Sequence, residues 1–212
     1  MLNILQNVFG YTSFRPGQQE IVENLNKGRD VLAVMPTGAG KSICYQVPAL
    51  KMSGITIVIS PLISLMTDQV RNLIQCGVRG AYLNSTLTQK QYFKALDNAK
   101  KYTYKIIYVA PERLMTDSFL SFAKSVDISL IAIDEAHCIS QWGQDFRPSY
   151  LNIKDFISSL KKRPVVGAFT ATATDRVKKD IIKELELNDP YTVTTGYDRK
   201  NLYFDVRKPE IK

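Results

Sequence analysis

Short apolar runs recur along this chain, each bounded by glycine, proline or charge. The strongest are Val31 to Met35, Thr56 to Ile59, Lys105 to Ala110, Leu130 to Ile133 and Val165 to Phe169; Ala81 to Leu83 and Tyr191 to Val193 are weaker. Runs that are apolar at successive positions, not at alternate ones, are what strands covered on both faces require. Helical spacing fills the intervals. It is clearest from Ala173 to Leu187, where Val177, Ile181 and Leu185 recur every fourth residue. Thr172 is the expected cap of that helix, and Asn188-Asp189-Pro190 its stop. Strand–helix alternation of this kind predicts an α/β domain, a mostly parallel sheet with helices on both faces. Met1 to Asn26 reads as helical and precedes the first strand, while Gly196 to Lys212 turns polar and extended. The expected division is one domain over 1–195 and a linker over 196–212 leading to an element absent from the chain.

Composition changes this picture little. The 212 residues are 45% hydrophobic and 23% charged, as in ordinary globular proteins. No run is long enough to span a bilayer and the start lacks a signal-peptide layout, so no membrane partner is expected. The expected residence is the cytoplasm, with the nucleoid in a bacterium or the nucleus in a eukaryote. Cys44, Cys76 and Cys138 have no paired spacing and read as reduced, mostly buried thiols without zinc. A net charge of +8 favours a polyanionic partner such as nucleic acid. Its densest cluster, Lys161-Lys162-Arg163, reads as a solvated loop.

The candidate chemistry sits at strand ends. After the first strong strand comes MPTGAGKS, Met35 to Ser42, and then a helix-like run. Gly38 and Gly40 let several backbone N–H groups of the loop that runs from Pro36, which has none of its own, through Thr37, Gly38 and Ala39 to Gly40 turn toward phosphate oxygens. Lys41 would neutralise the outer phosphates and the Ser42 hydroxyl would bind Mg²⁺. The strict pattern begins with glycine where this chain has Met35; the strand before and helix after supply the context it needs. The run Leu130 to Ile133 then delivers Asp134 and Glu135 to a strand end, where ligands of open parallel sheets sit. Asp134 would hold the magnesium, partly through water, and Glu135 would orient or deprotonate an attacking water. At once follows HCISQWGQDFRPSY, with the chain's single histidine, His137, and single tryptophan, Trp142. This layout implies a site that hydrolyses a nucleotide and reports the event to a second ligand.

Over nearly its whole length the chain resembles the first motor domain of RecQ-type DNA helicases of superfamily two. FGYTSFRPGQ is similar to that family's adenine-recognition motif, which implies that Tyr11 and Arg15 sandwich the base of ATP and Gln18 bonds its edge. SPLISLMTDQV and YVAPERL resemble strand-end motifs that grip single-stranded DNA, implying contacts around Ser60, Pro61, Pro111 and Arg113. FTATAT resembles the segment linking hydrolysis to DNA, with Thr170 and Thr172 bonded toward the Asp134–His137 turn. The aromatic-rich loop is the most specific piece, and implies DNA sensing by Gln141, Trp142, Phe146 and Arg147. The resemblance further implies a RecA-like P-loop fold, catalytic roles for Lys41, Asp134, Glu135 and His137, ATP and Mg²⁺ as cofactors, and 3′ to 5′ translocation with unwinding of duplex DNA. A second RecA-like domain would supply an arginine finger. In YDRKNLY, Tyr197 to Tyr203, Lys200 replaces the family's usual proline. Two rival classes are an RNA helicase of the same superfamily and a non-catalytic motor half that only binds nucleic acid or partners.

Overall fold

The computed structural model describes residues 1–196 and Asp205. Seven strands form one sheet among these residues: β1 (Val31–Val34), β2 (Ile55–Ile59), β3 (Gly80–Leu83), β4 (Ile106–Val109), β5 (Ile128–Ile133), β6 (Val165–Thr170) and β7 (Tyr191–Thr194). Their order is β3-β4-β2-β5-β6-β1-β7, and every pairing is parallel. β1, β2 and β4 are buried at every residue. The two runs that read as weak strands, β3 and β7, are the sheet's edges and are only half buried. An edge strand needs fewer apolar positions, which is why its signal is diluted.

Helices cover both faces. On one side lie α2 (Gln18–Asn26), α3 (Lys41–Lys51) and α4 (Ile63–Gln75), contributing Ile21, Leu25, Tyr45, Met66 and Val70 to one core. On the other lie α5 (Gln89–Lys100), α6 (Asp117–Ser125), α7 (Asn152–Ser158) and α8 (Asp175–Glu184), contributing Leu96, Phe119, Phe156, Val177 and Ile181. β5 alternates between the cores: Leu130 and Ala132 face the first, Ile131 and Ile133 the second, as the two-residue period of a strand dictates. α1 (Leu2–Phe9) packs separately through Leu5 on Val22 and Val47.

Three expectations change. The N-terminal stretch is two helices, because Gly10 and Gly17 both adopt left-handed angles (φ 73° and 81°) that end α1 and precede α2. The cap of α8 is Thr174, whose hydroxyl accepts from the Val177 N–H at 3.3 Å; Thr172 lies exposed, outside the helix. Arg163 is no free surface cation, since it pairs with the buried Asp30 at 2.5 Å. Its neighbours Lys161 and Lys162 are exposed.

Cys44 and Cys138 are buried, Cys76 is exposed, and all three are free. Among the described residues no helix is long and apolar enough to cross a membrane. The expected linker, including YDRKNLY, lies outside the described residues apart from Gly196 and Asp205.

Candidate active site

β1 hands the chain to the phosphate loop. Its ladder runs one residue further, through Met35 N–H to Thr170 O at 2.9 Å. Gly38 and Gly40 then take φ of 84° and 83°, angles that cost any residue with a Cβ. At Gly40 space forbids one too, because a Cβ would stand 2.5 Å from Gln18 Nε2. Lys41 opens α3 and donates from Nζ to Met35 O at 3.2 Å, so its ammonium folds back across the loop.

Arg15 and Gln18 hold this loop from outside. Arg15 Nη1 donates to Gly38 O at 2.6 Å. The Gln18 amide, almost fully buried, donates to Ala39 O and Gly40 O at 3.1 Å each and accepts from Arg15 N–H at 2.9 Å. Both residues assigned by resemblance to the base therefore brace the cradle in this structure, while Tyr11 is half exposed beside them. Tyr11, Arg15, Gln18, Thr37, Gly38 and Gly40 line a cleft of about 370 Å³. Lys41, Ser42, Asp134 and Glu135 line the same cleft, as do Ser13 and Leu65, for which no motif or spacing pointed to a site. Pro36 and Ala39 complete the loop, half buried.

The acidic pair follows β5. Asp134 still belongs to the ladder through its N–H to Ile59 O at 2.8 Å, and is 7% exposed. Among the described residues its carboxylate receives one hydrogen bond, from the Glu135 N–H at 3.1 Å. Burial first, and then the Glu135 charge, push its pKa up to about 6, against the pull of Lys41 and that N–H. Glu135 sits at φ 49°, ψ 45°, a left-handed conformation that strains a residue bearing a Cβ and is concentrated at functional sites. That turn brings Glu135 Oε2 within 3.3 Å of His137 Nδ1.

His137 Nδ1 lies 2.8 Å from Thr170 Oγ1, at the buried end of β6. Thr170 gives its own proton to Thr172 O at 3.1 Å. The network therefore assigns the imidazole proton to Nδ1, donated to Thr170. Thr170 reaches the Asp134–His137 turn as expected, whereas Thr172 contributes only a carbonyl. A residue the sequence reading passed over, the fully buried Tyr150, donates from its hydroxyl to Asp134 O at 2.8 Å. Its only signal was an aromatic at the end of a polar loop.

The fold leaves Asp134 short of donors and opposite the Ser42 side of the cleft. Among the described residues no group of three or more His, Cys, Asp or Glu could enclose a metal. One carboxylate and one hydroxyl are, however, the donor set of an ion that keeps several waters and takes phosphate oxygens, which is how magnesium binds.

Beyond His137 the aromatic loop is tied back on itself. Ser140 Oγ donates to Asp180 Oδ2 at 2.6 Å and accepts the Trp142 N–H at 3.2 Å. Arg147 N–H bonds Cys138 O at 2.9 Å. Gly143 lies so close to the His137 turn that a Cβ would fall 2.3 Å from His137 O. Trp142 is 61% exposed, Gln141 is exposed and Phe146 is half buried. The Arg147 guanidinium is held by Asp145 at 2.7 and 3.0 Å. Arg176, on α8, lays its guanidinium 3.4 Å from the centre of the Trp142 ring. Neither Arg176 nor Asp180 was legible as a site residue, because each belongs to the polar side of an amphipathic helix.

The strand-end motifs fall at the same carboxyl end of the strands as the acidic pair, after β2 and β4. Ser60 is buried, its hydroxyl without a hydrogen-bond partner among the described residues, and Pro61 is half buried. Pro111 is buried, and Arg113 stacks over Tyr92 at 5.1 Å. Neither Ser60 nor Pro111 presents its side chain to solvent, because each continues a fully buried strand.

A family model for DEAD/DEAH box helicases matches residues 15–181. The chain belongs to the DEAD/DEAH box helicase family. It is similar to the ATP-dependent DNA helicase RecQ of Bacillus subtilis, 50% identical over 211 residues that cover 99% of this chain and 36% of that protein. It is 45% identical to the ATP-dependent DNA helicase RecQ of Pasteurella multocida, over 97% of this chain and 32% of the relative. The chain thus spans about a third of the length of the curated relatives it matches. Among solved structures, a hypothetical ATP-dependent RNA helicase from Sulfolobus tokodaii aligns with a TM-score of 0.69 at 20% identity, over 91% of this chain and 56% of that one. That likeness supports the fold alone, a parallel sheet with helices on both faces.

Proposed function

We propose that this chain is the first motor domain of a RecQ-type helicase, which binds ATP and couples its hydrolysis to 3′ to 5′ movement along single-stranded DNA and unwinding of duplex. The observation that carries the reading is one cleft lined by Lys41, Ser42, Asp134 and Glu135, joined through His137 and Thr170 to the exposed aromatic loop. Backbone N–H groups of the phosphate loop and the Lys41 ammonium bind and orient the triphosphate. Ser42 and Asp134 would hold Mg²⁺, which supplies charge neutralisation on the phosphate oxygens when bound. Glu135 orients the attacking water and takes its proton. The same His137 Nδ1 stands 3.3 Å from the Glu135 carboxylate and 2.8 Å from Thr170 Oγ1, so a shift of the aromatic loop would be felt at Glu135. Trp142, with Gln141 and Phe146, offers a surface on which bases stack, worth roughly 1–3 kcal/mol each without regard to sequence. A second RecA-like domain closing over the cleft would bring an arginine finger, worth about 10³–10⁵ in turnover, so this domain alone hydrolyses ATP very slowly.

The test is Glu135→Gln in the full-length protein. Loss of a general base should lower DNA-stimulated turnover by about 10²–10⁴-fold, with ATP affinity kept within a few-fold. Activation by single-stranded DNA is compared with activation by RNA in the parent protein. Surviving turnover would remove Glu135 from the mechanism, and preferential activation by RNA would move the protein to the rival class.

A further inference from the structure

One face of Trp142, the ring that the proposed function offers to DNA bases, is already covered. Arg176 projects from the first turn of α8 and places its guanidinium carbon 3.4 Å from the indole centroid, which is a flat stack. Trp142 nonetheless remains 61% exposed, and Arg176 is itself at the surface. The contact is therefore not core packing. The loop carrying Trp142 is fixed to the same helix one turn on, through Ser140 and Asp180 at 2.6 Å. One helix thus supplies both the anchor of the loop and the cover of its exposed ring.

We propose that Arg176 is a placeholder on Trp142, occupying the base-stacking face until single-stranded nucleic acid displaces it; this rests on the reading of Trp142 as a DNA contact. The magnitudes favour the exchange. A solvent-exposed cation–π pair is worth roughly 0.5–1 kcal/mol, whereas a base stacked on an aromatic is worth roughly 1–3 kcal/mol. The displaced guanidinium has somewhere to go, because Asp180 stands at the i+4 position on the same helix face, where opposite charges pair. An arriving phosphate would serve as well. The function of such a cover is to keep an exposed tryptophan from sticking to other apolar surfaces while leaving it available to a stronger competitor.

The chain has one tryptophan, so its fluorescence reports Trp142 alone. The experiment compares the full chain with its Arg176→Ala variant, a change at an exposed helical position that alanine favours. First, acrylamide quenching is measured without nucleic acid; the variant should be more readily quenched, since one ring face is uncovered. Second, both proteins are titrated with ordinary oligothymidine and with its uncharged methylphosphonate analogue, which removes attraction between Arg176 and phosphate. The variant should bind the neutral analogue about two- to five-fold more tightly, the equivalent of the exposed cation–π contact. Equal quenching of the two proteins would overturn the proposal whatever the oligonucleotides do. Higher quenching with unchanged or weaker binding of the neutral analogue would also overturn it, as a stack that does not compete. If ordinary oligothymidine left Trp142 fluorescence unaltered in the unmodified chain, the DNA-contact reading itself would fail, and the placeholder with it.

Discussion

Two buried aspartates sit at opposite ends of the parallel sheet, and the fold treats them differently. Asp30 stands just before β1 and is 2% exposed; Asp134 stands just after β5 and is 7% exposed. Asp30 accepts two bonds from Arg163, at 3.1 and 2.5 Å, and one each from the N–H groups of Val166 and Asn188, at 2.9 and 2.8 Å. It ties the start of β1 to the start of β6 and to the turn that enters β7. Asp134 accepts a single bond, from its neighbour's N–H. A buried carboxylate saturated by its own chain is architecture. One left short of donors carries unspent capacity, and a ligand is what can use it.

The widest separation between the two should appear on replacing each with alanine in the full-length protein. Asp134→Ala removes the group argued to hold the cation against the phosphates, and turnover should fall at least as far as on loss of one transition-state stabiliser, about 10²–10³-fold. Its thermal midpoint should not fall, because a charge buried against its preference has been deleted. Asp30→Ala should do the reverse, destabilising by about 3–5 kcal/mol, chiefly because the Val166 and Asn188 N–H groups lose their acceptor, while turnover per folded molecule stays within a few-fold. Denaturant titration and steady-state kinetics on the same preparations decide it. A turnover defect in folded Asp30→Ala as deep as that of Asp134→Ala would end the contrast.

Acidity sharpens it further. The Asp134 carboxyl is pushed up to about 6 by burial and by Glu135, from an ordinary value of 3.8. The native state therefore binds that proton before the unfolded chain does, so this group favours folding more as pH drops through 6 toward 4. In a nucleotide-free protein kept in chelator, Asp134→Asn should be more stable than its parent at pH 7 by roughly 2–3 kcal/mol. The gap should narrow mostly between pH 6 and 4, and close once the pH falls below the unfolded value of 3.8 and both the folded and unfolded carboxyls are protonated. A constant gap across that range would mean that Asp134 is not held against its charge.

How much of this was written in the residue pattern depends on whether the information is local. The strands are apolar at successive positions, so β1, β2, β4, β5 and β6 were legible to within a residue or two. The phosphate loop was equally plain, since its glycines and Lys41 act within one turn of chain. What escaped was pairing between distant segments. Arg163 looks like the end of a basic run until the fold sets it against Asp30, 133 positions away. Tyr150 looks like a loop aromatic until its hydroxyl meets the Asp134 carbonyl. Arg176 and Asp180 carry only the signature of a solvated helix face. Thr172 was the expected cap of α8, and the cap is Thr174, two residues further on. That the Gln18 amide also grips the phosphate loop was not legible either, because no spacing rule shows that partner.

The smallest of these effects tests why Asp30 is saturated. Arg163→Ala removes two of its four donors, but the Val166 and Asn188 N–H groups remain. The arginine side chain is also 40% exposed, so water screens the pair. The expected loss is about 1–2 kcal/mol, near the lower range for a hydrogen bond to a charged group and well below that of Asp30→Ala. In a double-mutant cycle, Asp30→Ala with Arg163→Ala should cost little more than Asp30→Ala alone, because the arginine then has only its neutral bonds to the Pro164 and Glu186 carbonyls left to lose. Should Arg163→Ala alone match Asp30→Ala in urea unfolding, the two backbone donors are not enough to keep Asp30 buried as an anion. The relevant difference between the two ends of the sheet would then be the presence of a cation beside one carboxylate, and Asp134, with Lys41 across its cleft, would differ from Asp30 in degree and not in kind.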